Sequence, residues 1–112
     1  MPYLKVQTNQ KSKDKKGLLK RISQKTAEQL NKPEKYVMVN LEEDKDLVFG
    51  GSSDPAVFME LKSIGLKESM TEDLSNFLCT LAEEELGVNA ERVYIEFKDA
   101  PGKMWGWNKG TF

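Results

Sequence analysis

Pro2, directly behind the initiator methionine, is the residue of this chain with the most chemistry to offer. A small second residue favours removal of Met1. Pro2 would then carry a free secondary amine, a base on a rigid ring that the strand-like run Tyr3-Leu4-Lys5-Val6-Gln7-Thr8 can aim into a pocket. Within a chain, by contrast, a proline nitrogen is an amide that takes no proton, and Pro2 would be only a tolerated first residue of a strand. The rest of the chemical inventory is short. The chain has no histidine and one cysteine, Cys79. That excludes an intrachain disulfide, the usual zinc ligand sets and every Ser-His or Cys-His catalytic pair. Gly50-Gly51-Ser52-Ser53 lacks the lysine and spacing of a P-loop and reads as a tight loop without a ligand. Cys79, on a helical stripe, reads as a core thiol.

The elements that must position Pro2 follow from periodicity. Alternation at Leu4 and Val6 marks a first strand, and Gly17 to Asn31 places Leu19, Ile22, Thr26 and Leu30 on one stripe of a helix ended by Asn31, Lys32 and Pro33. Val37, Val39 and Leu41 alternate with Tyr36, Met38 and Asn40 in a second strand, closed by Glu42-Glu43-Asp44. A short Leu47-Val48-Phe49 segment follows, and then Ala56 to Ile64 reads as a third strand with Val57, Met59 and Leu61 on one face. Thr71 is expected to cap a second helix whose stripe is Leu74, Phe77, Leu78, Leu81 and Leu86 and whose end is Gly87; Val93 to Phe97 completes the pattern as a fourth strand. Strand, helix, strand occurs twice. Right-handed crossovers then predict an α/β fold of α+β type, with four strands in one mixed sheet and both helices on one face. Tyr36, Met38, Tyr94 and Phe97 are expected on the uncovered face, which predicts a symmetric homo-oligomer that buries it.

The 112 residues are enough for one domain, 1–112, burying roughly 60 to 70% of the unfolded surface. Seventeen basic residues nearly balance eighteen acidic ones, for a net charge of −1. Neither nucleic acid nor an anionic membrane is therefore expected as a partner, and the run Lys11-Ser12-Lys13-Asp14-Lys15-Lys16 reads as a solvated helix start. No apolar stretch reaches membrane-spanning length and the N-terminus lacks a signal-peptide pattern, so a cytoplasmic protein is expected.

Landmarks along the whole chain resemble the macrophage migration inhibitory factor (MIF) family of the tautomerase superfamily. They are Met1-Pro2, Lys32-Pro33 followed by Tyr36, Phe49-Gly50-Gly51-Ser52-Ser53-Asp54-Pro55, Ser63-Ile64-Gly65, Arg92-Val93-Tyr94-Ile95 and Gly106-Trp107-Asn108-Lys109-Gly110-Thr111-Phe112. The resemblance implies a homotrimer of two pseudo-repeated β-α-β units whose sheets line a central barrel. It also implies a pocket between subunits in which Pro2 is the catalytic base and needs neither metal nor organic cofactor. A free α-amino group starts near about 8, and a base works best when its pKa lies near the working pH. Burial against Tyr36, Ile64 and Trp107, and the like charge of Lys32, would each lower it. The Lys32 ammonium would also hold a substrate carboxylate or developing enolate, assisted by the backbone amide of Ile64. Tyr36, Trp107 and Phe112 would form an aromatic wall, with Tyr94 reaching in.

This chain departs from the family in three places. Ala56-Val57-Phe58-Met59 replaces the family's Cys-x-x-Cys, so thiol-redox activity is not expected. Glu96 brings a carboxylate that would repel anionic substrates, and Trp105 would narrow the pocket mouth or extend its aromatic wall. The function expected is tautomerisation of phenylpyruvate-like or dopachrome-like keto and enol forms. The alternative is a cytokine-like module that binds a receptor and keeps a weak or vestigial pocket, and such proteins are exported without a signal peptide. A dehalogenase or decarboxylase of the superfamily ranks below both, because Arg21 and Arg92 match no site position.

Overall fold

The computed structural model describes all residues, 1–112. β1 (Tyr3–Thr8), α1 (Lys15–Leu30) and β2 (Met38–Glu42) form one unit, and β3 (Val57–Ile64), α2 (Thr71–Leu81) and β4 (Val93–Ala100) form the second. A short hairpin of β5 (Gly106–Trp107) and β6 (Gly110–Thr111) ends the chain. Each unit joins its two strands in parallel, and β1 pairs with β3 antiparallel, giving the sheet order β2-β1-β3-β4. This is the mixed, four-stranded α+β architecture expected from the alternation. No helix is long and apolar enough to cross a membrane.

The strands alternate as a half-covered sheet must. Leu4 and Val6 of β1 and Val57, Met59 and Leu61 of β3 point into one core with Leu18, Ile22 and Leu30 of α1 and Leu74, Leu78 and Leu81 of α2. Both helices therefore cover the same face. The centre of the α1 stripe is Leu18 rather than Leu19, which is only partly buried. α2 differs at both ends. Thr71 is its first residue and not its cap, and its hydroxyl donates to the Glu68 carbonyl of the preceding turn at 2.8 Å. A π-helical turn, Ala82–Leu86, extends it to Gly87, whose φ of 65° suits glycine.

The uncovered face is mixed rather than apolar. Phe97 packs against the helix-side core, and Tyr36 lies in a 3₁₀ turn, Glu34–Tyr36, outside β2. Tyr3, Lys5, Gln7, Asn40, Glu42 and Glu60 line the uncovered face, with Lys5 3.7 Å from Glu42 and 3.8 Å from Glu60. Alternation identifies which residues share a face but not which face the helices cover. Met38 and Tyr94 do lie on the uncovered face, on its two edge strands and 65% and 63% accessible, while Val48, 74% accessible, lies outside the sheet.

Leu47 to Phe49 forms no strand; its one pairing is the bridge from Phe49 to Ser52 across Gly50 and Gly51. Both glycines take positive φ, 61° and 78°, which closes the loop in two residues. The Arg92 guanidinium holds this loop by donating to the carbonyls of Phe49, Ser52, Asp54 and Pro55 at 2.9–3.1 Å.

Candidate active site

Pro2 leads into β1, with its carbonyl accepting from the Met38 amide at 3.0 Å, and it is fully buried. Met1 is present in the structure, so the Pro2 nitrogen is an amide here and the free amino group belongs to Met1. That amino group is held below its ordinary value of 8.0, first by burial and then by the Lys32 ammonium. Both effects disfavour the charged form. The head of β1 is therefore a place where an amine is pushed towards its basic form.

Lys32 arrives there because of the way α1 ends. Asn31 takes a left-handed conformation (φ 53°), the Lys32 amide donates to the Ala27 carbonyl at 3.0 Å, and Pro33 turns the chain away. Lys32 Nζ then donates to the Ile64 carbonyl oxygen at 3.0 Å. The Ile64 contact with Lys32 thus runs through its carbonyl.

Met1 and Pro2 form part of a cleft of about 370 Å³, within the range of small-ligand pockets. Tyr36, Trp105, Trp107 and Phe112 line it. Three of these rings form one cluster. Trp107 stacks on Phe112 at 5.3 Å between centroids, and Tyr36 meets both edge-on at 5.5 and 5.7 Å. The terminal hairpin presents this wall, and the Phe112 amide donates to the Trp105 carbonyl at 3.2 Å. Trp105 extends the aromatic lining of the cleft.

Sequence reasoning missed Tyr3, Lys35, Val37, Met38, Lys62 and Gly106, which also line the cleft. Lys62 was accessible in principle, since it alternates with the buried Leu61 and Ser63 and falls two residues before Ile64 on β3.

The chain by itself does not bring Tyr94 or Glu96 to this cleft. β4 pairs in parallel with β3 so that Tyr94 lies opposite Phe58, whereas Lys62 marks the cleft end of β3. Four strand residues separate them, about 13 Å. Tyr94 packs against Phe49 at 4.5 Å and lines a second apolar cleft with Leu47, Val48 and Phe58. Glu96 is exposed on the uncovered face beside Glu60.

The Macrophage migration inhibitory factor (MIF) family profile matches residues 1–112. A macrophage migration inhibitory factor homolog from Trichinella spiralis is 38% identical, with both chains covered in full. The macrophage migration inhibitory factor of Meriones unguiculatus is 35% identical over all of this chain and 99% of its own. Among solved structures, the homologue from Prochlorococcus marinus superposes with a TM-score of 0.91 at 41% identity, covering 98% of each chain. With matches that run the full length in both sequence and structure, the chain belongs to the macrophage migration inhibitory factor family, with the tautomerase superfamily fold.

Proposed function

We propose that the protein is a tautomerase that interconverts keto and enol forms of phenylpyruvate-like acids, with Pro2 as the general base once Met1 has been removed. What supports this most directly is the geometry at the head of β1, where Met1 and Pro2 line a cleft with Tyr36, Trp107 and Phe112; burial and the Lys32 charge lower the pKa of the amino group there. Removal of Met1 makes Pro2 the residue that carries this amine.

In the enol-forming direction, the neutral Pro2 nitrogen takes a proton from the carbon next to the keto group. The electron pair moves through the carbon–carbon bond onto the carbonyl oxygen, where the Lys32 ammonium stabilises the developing charge, and protonated Pro2 then gives its proton to that oxygen and returns to the neutral amine. Ketonisation is the reverse: neutral Pro2 takes the enol proton from oxygen and then delivers it to carbon. Tyr36, Trp107 and Phe112 hold the aromatic ring. A base so placed contributes about 10²- to 10⁴-fold.

The active form in this proposal is a homotrimer. The open edges of β2 and β4 and the exposed Met38, Val48 and Tyr94 support self-association. Tyr94 and Glu96 then enter a cleft only from a second copy. A molar mass of one chain by sedimentation would overturn this part.

The test is the initial rate of phenylpyruvate ketonisation by protein whose Met1 removal is confirmed by mass, beside Pro2→Gly and a Met1-retaining form. Loss of activity in both variants is expected. A native protein that is inactive would shift the assignment to the cytokine-like binding module.

A further inference from the structure

We propose that Lys35 and Lys62 form a second anion-binding point in the cleft, so that it favours aromatic 2-keto or enol acids carrying a second acidic group on the ring over mono-acids. This rests on reading the cleft as the substrate pocket and specifies what that pocket selects.

Two of the side chains lining the cleft are cations and none is an anion; the one carboxylate of the lining is the chain end at Phe112, which pairs with neither lysine. Neither Lys35 nor Lys62 has a carboxylate within ion-pair distance, and neither donates a hydrogen bond to the protein, whereas Lys5 on the same face of the sheet is paired with Glu42 and Glu60. Lys35 is placed by the 3₁₀ turn after Pro33, with Nζ 5.1 Å from the centre of the Tyr36 ring, against one of the rings that would hold the substrate.

Lys62 is the more telling of the two. Across the sheet it lies between Tyr3 and Lys98, so two lysines are neighbours in one row. In the next row Glu60 also has a like-charged neighbour, Glu96, but Lys5 lies 3.8 Å from it on the other side. Like charges side by side are unfavourable in a sheet, and at Lys62 no side chain supplies the opposite charge that Lys5 gives Glu60. A bound anion does. Lys32 is the third cation of this region, but its ammonium is already engaged by the Ile64 carbonyl and lies by the amine at the head of β1. In the proposed reaction Lys32 serves the reacting end of a ligand, and Lys35 with Lys62, on the lining itself, is left for another charge. The cleft's volume of about 370 Å³ is in the range that accepts a phenylpyruvate-sized acid with one more carboxyl group.

The test uses full-length protein with Met1 removed, and two inert analogues measured by calorimetry at low ionic strength: 3-phenylpropionate and 3-(4-carboxyphenyl)propionate. Initial rates with phenylpyruvate and 4-carboxyphenylpyruvate are measured in parallel. The dianion should bind about tenfold more tightly than the monoanion, the gain of one charge-assisted contact. That preference should fall to within about twofold in the Lys35→Gln, Lys62→Gln double variant, as screening or loss of a single charged contact predicts. It should survive in Lys62→Arg, which keeps the charge, and in Lys67→Gln, which alters an exposed lysine outside the cleft.

Equal or weaker binding of the dianion by the native protein overturns the proposal, as it would if a carboxylate of a second copy, such as its Glu96, already neutralised Lys62. Persistence of the preference in the double variant overturns it too. Binding needs no turnover, so the two readings fail separately. A protein that prefers the dianion yet tautomerises neither acid refutes the catalytic reading alone, and one that tautomerises phenylpyruvate without any preference refutes the anion point alone.

Discussion

The Lys32 ammonium donates to the Ile64 carbonyl oxygen at 3.0 Å and so ties the turn that ends α1 to the last residue of β3. Thirty-two residues separate the two in sequence. The bond places a cation of the first β-α-β unit at the strand end of the second, and it leaves that cation close enough to the chain's amino group to disfavour its protonation. Both consequences bear on the proposed proton transfer.

Removing this cation should move the pH dependence. A neighbouring cation opposes protonation of the amine, so in Lys32→Gln the Pro2 nitrogen holds its proton to higher pH, and the acidic limb of the rate profile shifts upward. kcat/KM should also fall by about 10²-fold through loss of oxyanion stabilisation. A full pH–rate profile checks both, and Lys32→Arg should keep the limb near its native place. A limb that does not move in Lys32→Gln would separate Lys32 from the base.

Trp107 touches both other rings of the aromatic wall, stacked on Phe112 and edge-on to Tyr36. In Trp107→Ala the KM for an aromatic keto acid should rise roughly tenfold, the worth of one to two aromatic contacts, while kcat changes much less. Steady-state kinetics with phenylpyruvate give the division. A fall confined to kcat would contradict a binding wall.

Arg92 donates to four carbonyls of the loop from Phe49 to Pro55, and its guanidinium lies 5.2 Å from the Phe49 ring centre. Arg92→Lys keeps the charge but not the planar fork, so it should destabilise the fold by about 2 kcal/mol, seen as a lower denaturant midpoint. Full retention of the midpoint would mean that one carbonyl contact suffices.

The Glu42 carboxyl is held below its ordinary value of 4.5, chiefly by the hydrogen bond from Gln7 at 3.2 Å and further by Lys5, Asn40 and Lys45. A depressed folded-state pKa stabilises the fold above the unfolded value, and this contribution is lost as pH falls through the folded one. The carboxyl carbon of Glu42 should titrate below 4.5 by NMR, and Gln7→Ala should move its midpoint upward. No movement would assign the depression to the lysines.

Much of this protein is legible in its residue order. Leu4 and Val6, and Val57, Met59 and Leu61, give the alternation of two central strands, and Ile22, Leu30, Leu74, Leu78 and Leu81 give the stripes of two helices. These are local patterns, because the periods of 2.0 and 3.6 residues follow from backbone geometry. Pro2 is likewise readable without a structure, since only an N-terminal proline offers a basic ring nitrogen. The end of α1 at Asn31 and Pro33 is as plain, because one tolerates a left-handed backbone and the other cannot extend a helix.

Tertiary structure decided the rest. Phe97 and Tyr94 both belong to β4, but only the packed sheet determines that Phe97 faces the helices and Tyr94 does not. Register, which no single strand contains, puts Tyr94 opposite Phe58, far from Pro2 within one chain, and puts Lys62 beside Tyr3 at the cleft. Alternation identifies the residues that share a face; it takes the pairing of strands remote in sequence, and the side on which the helices settle, to determine which charges and rings meet.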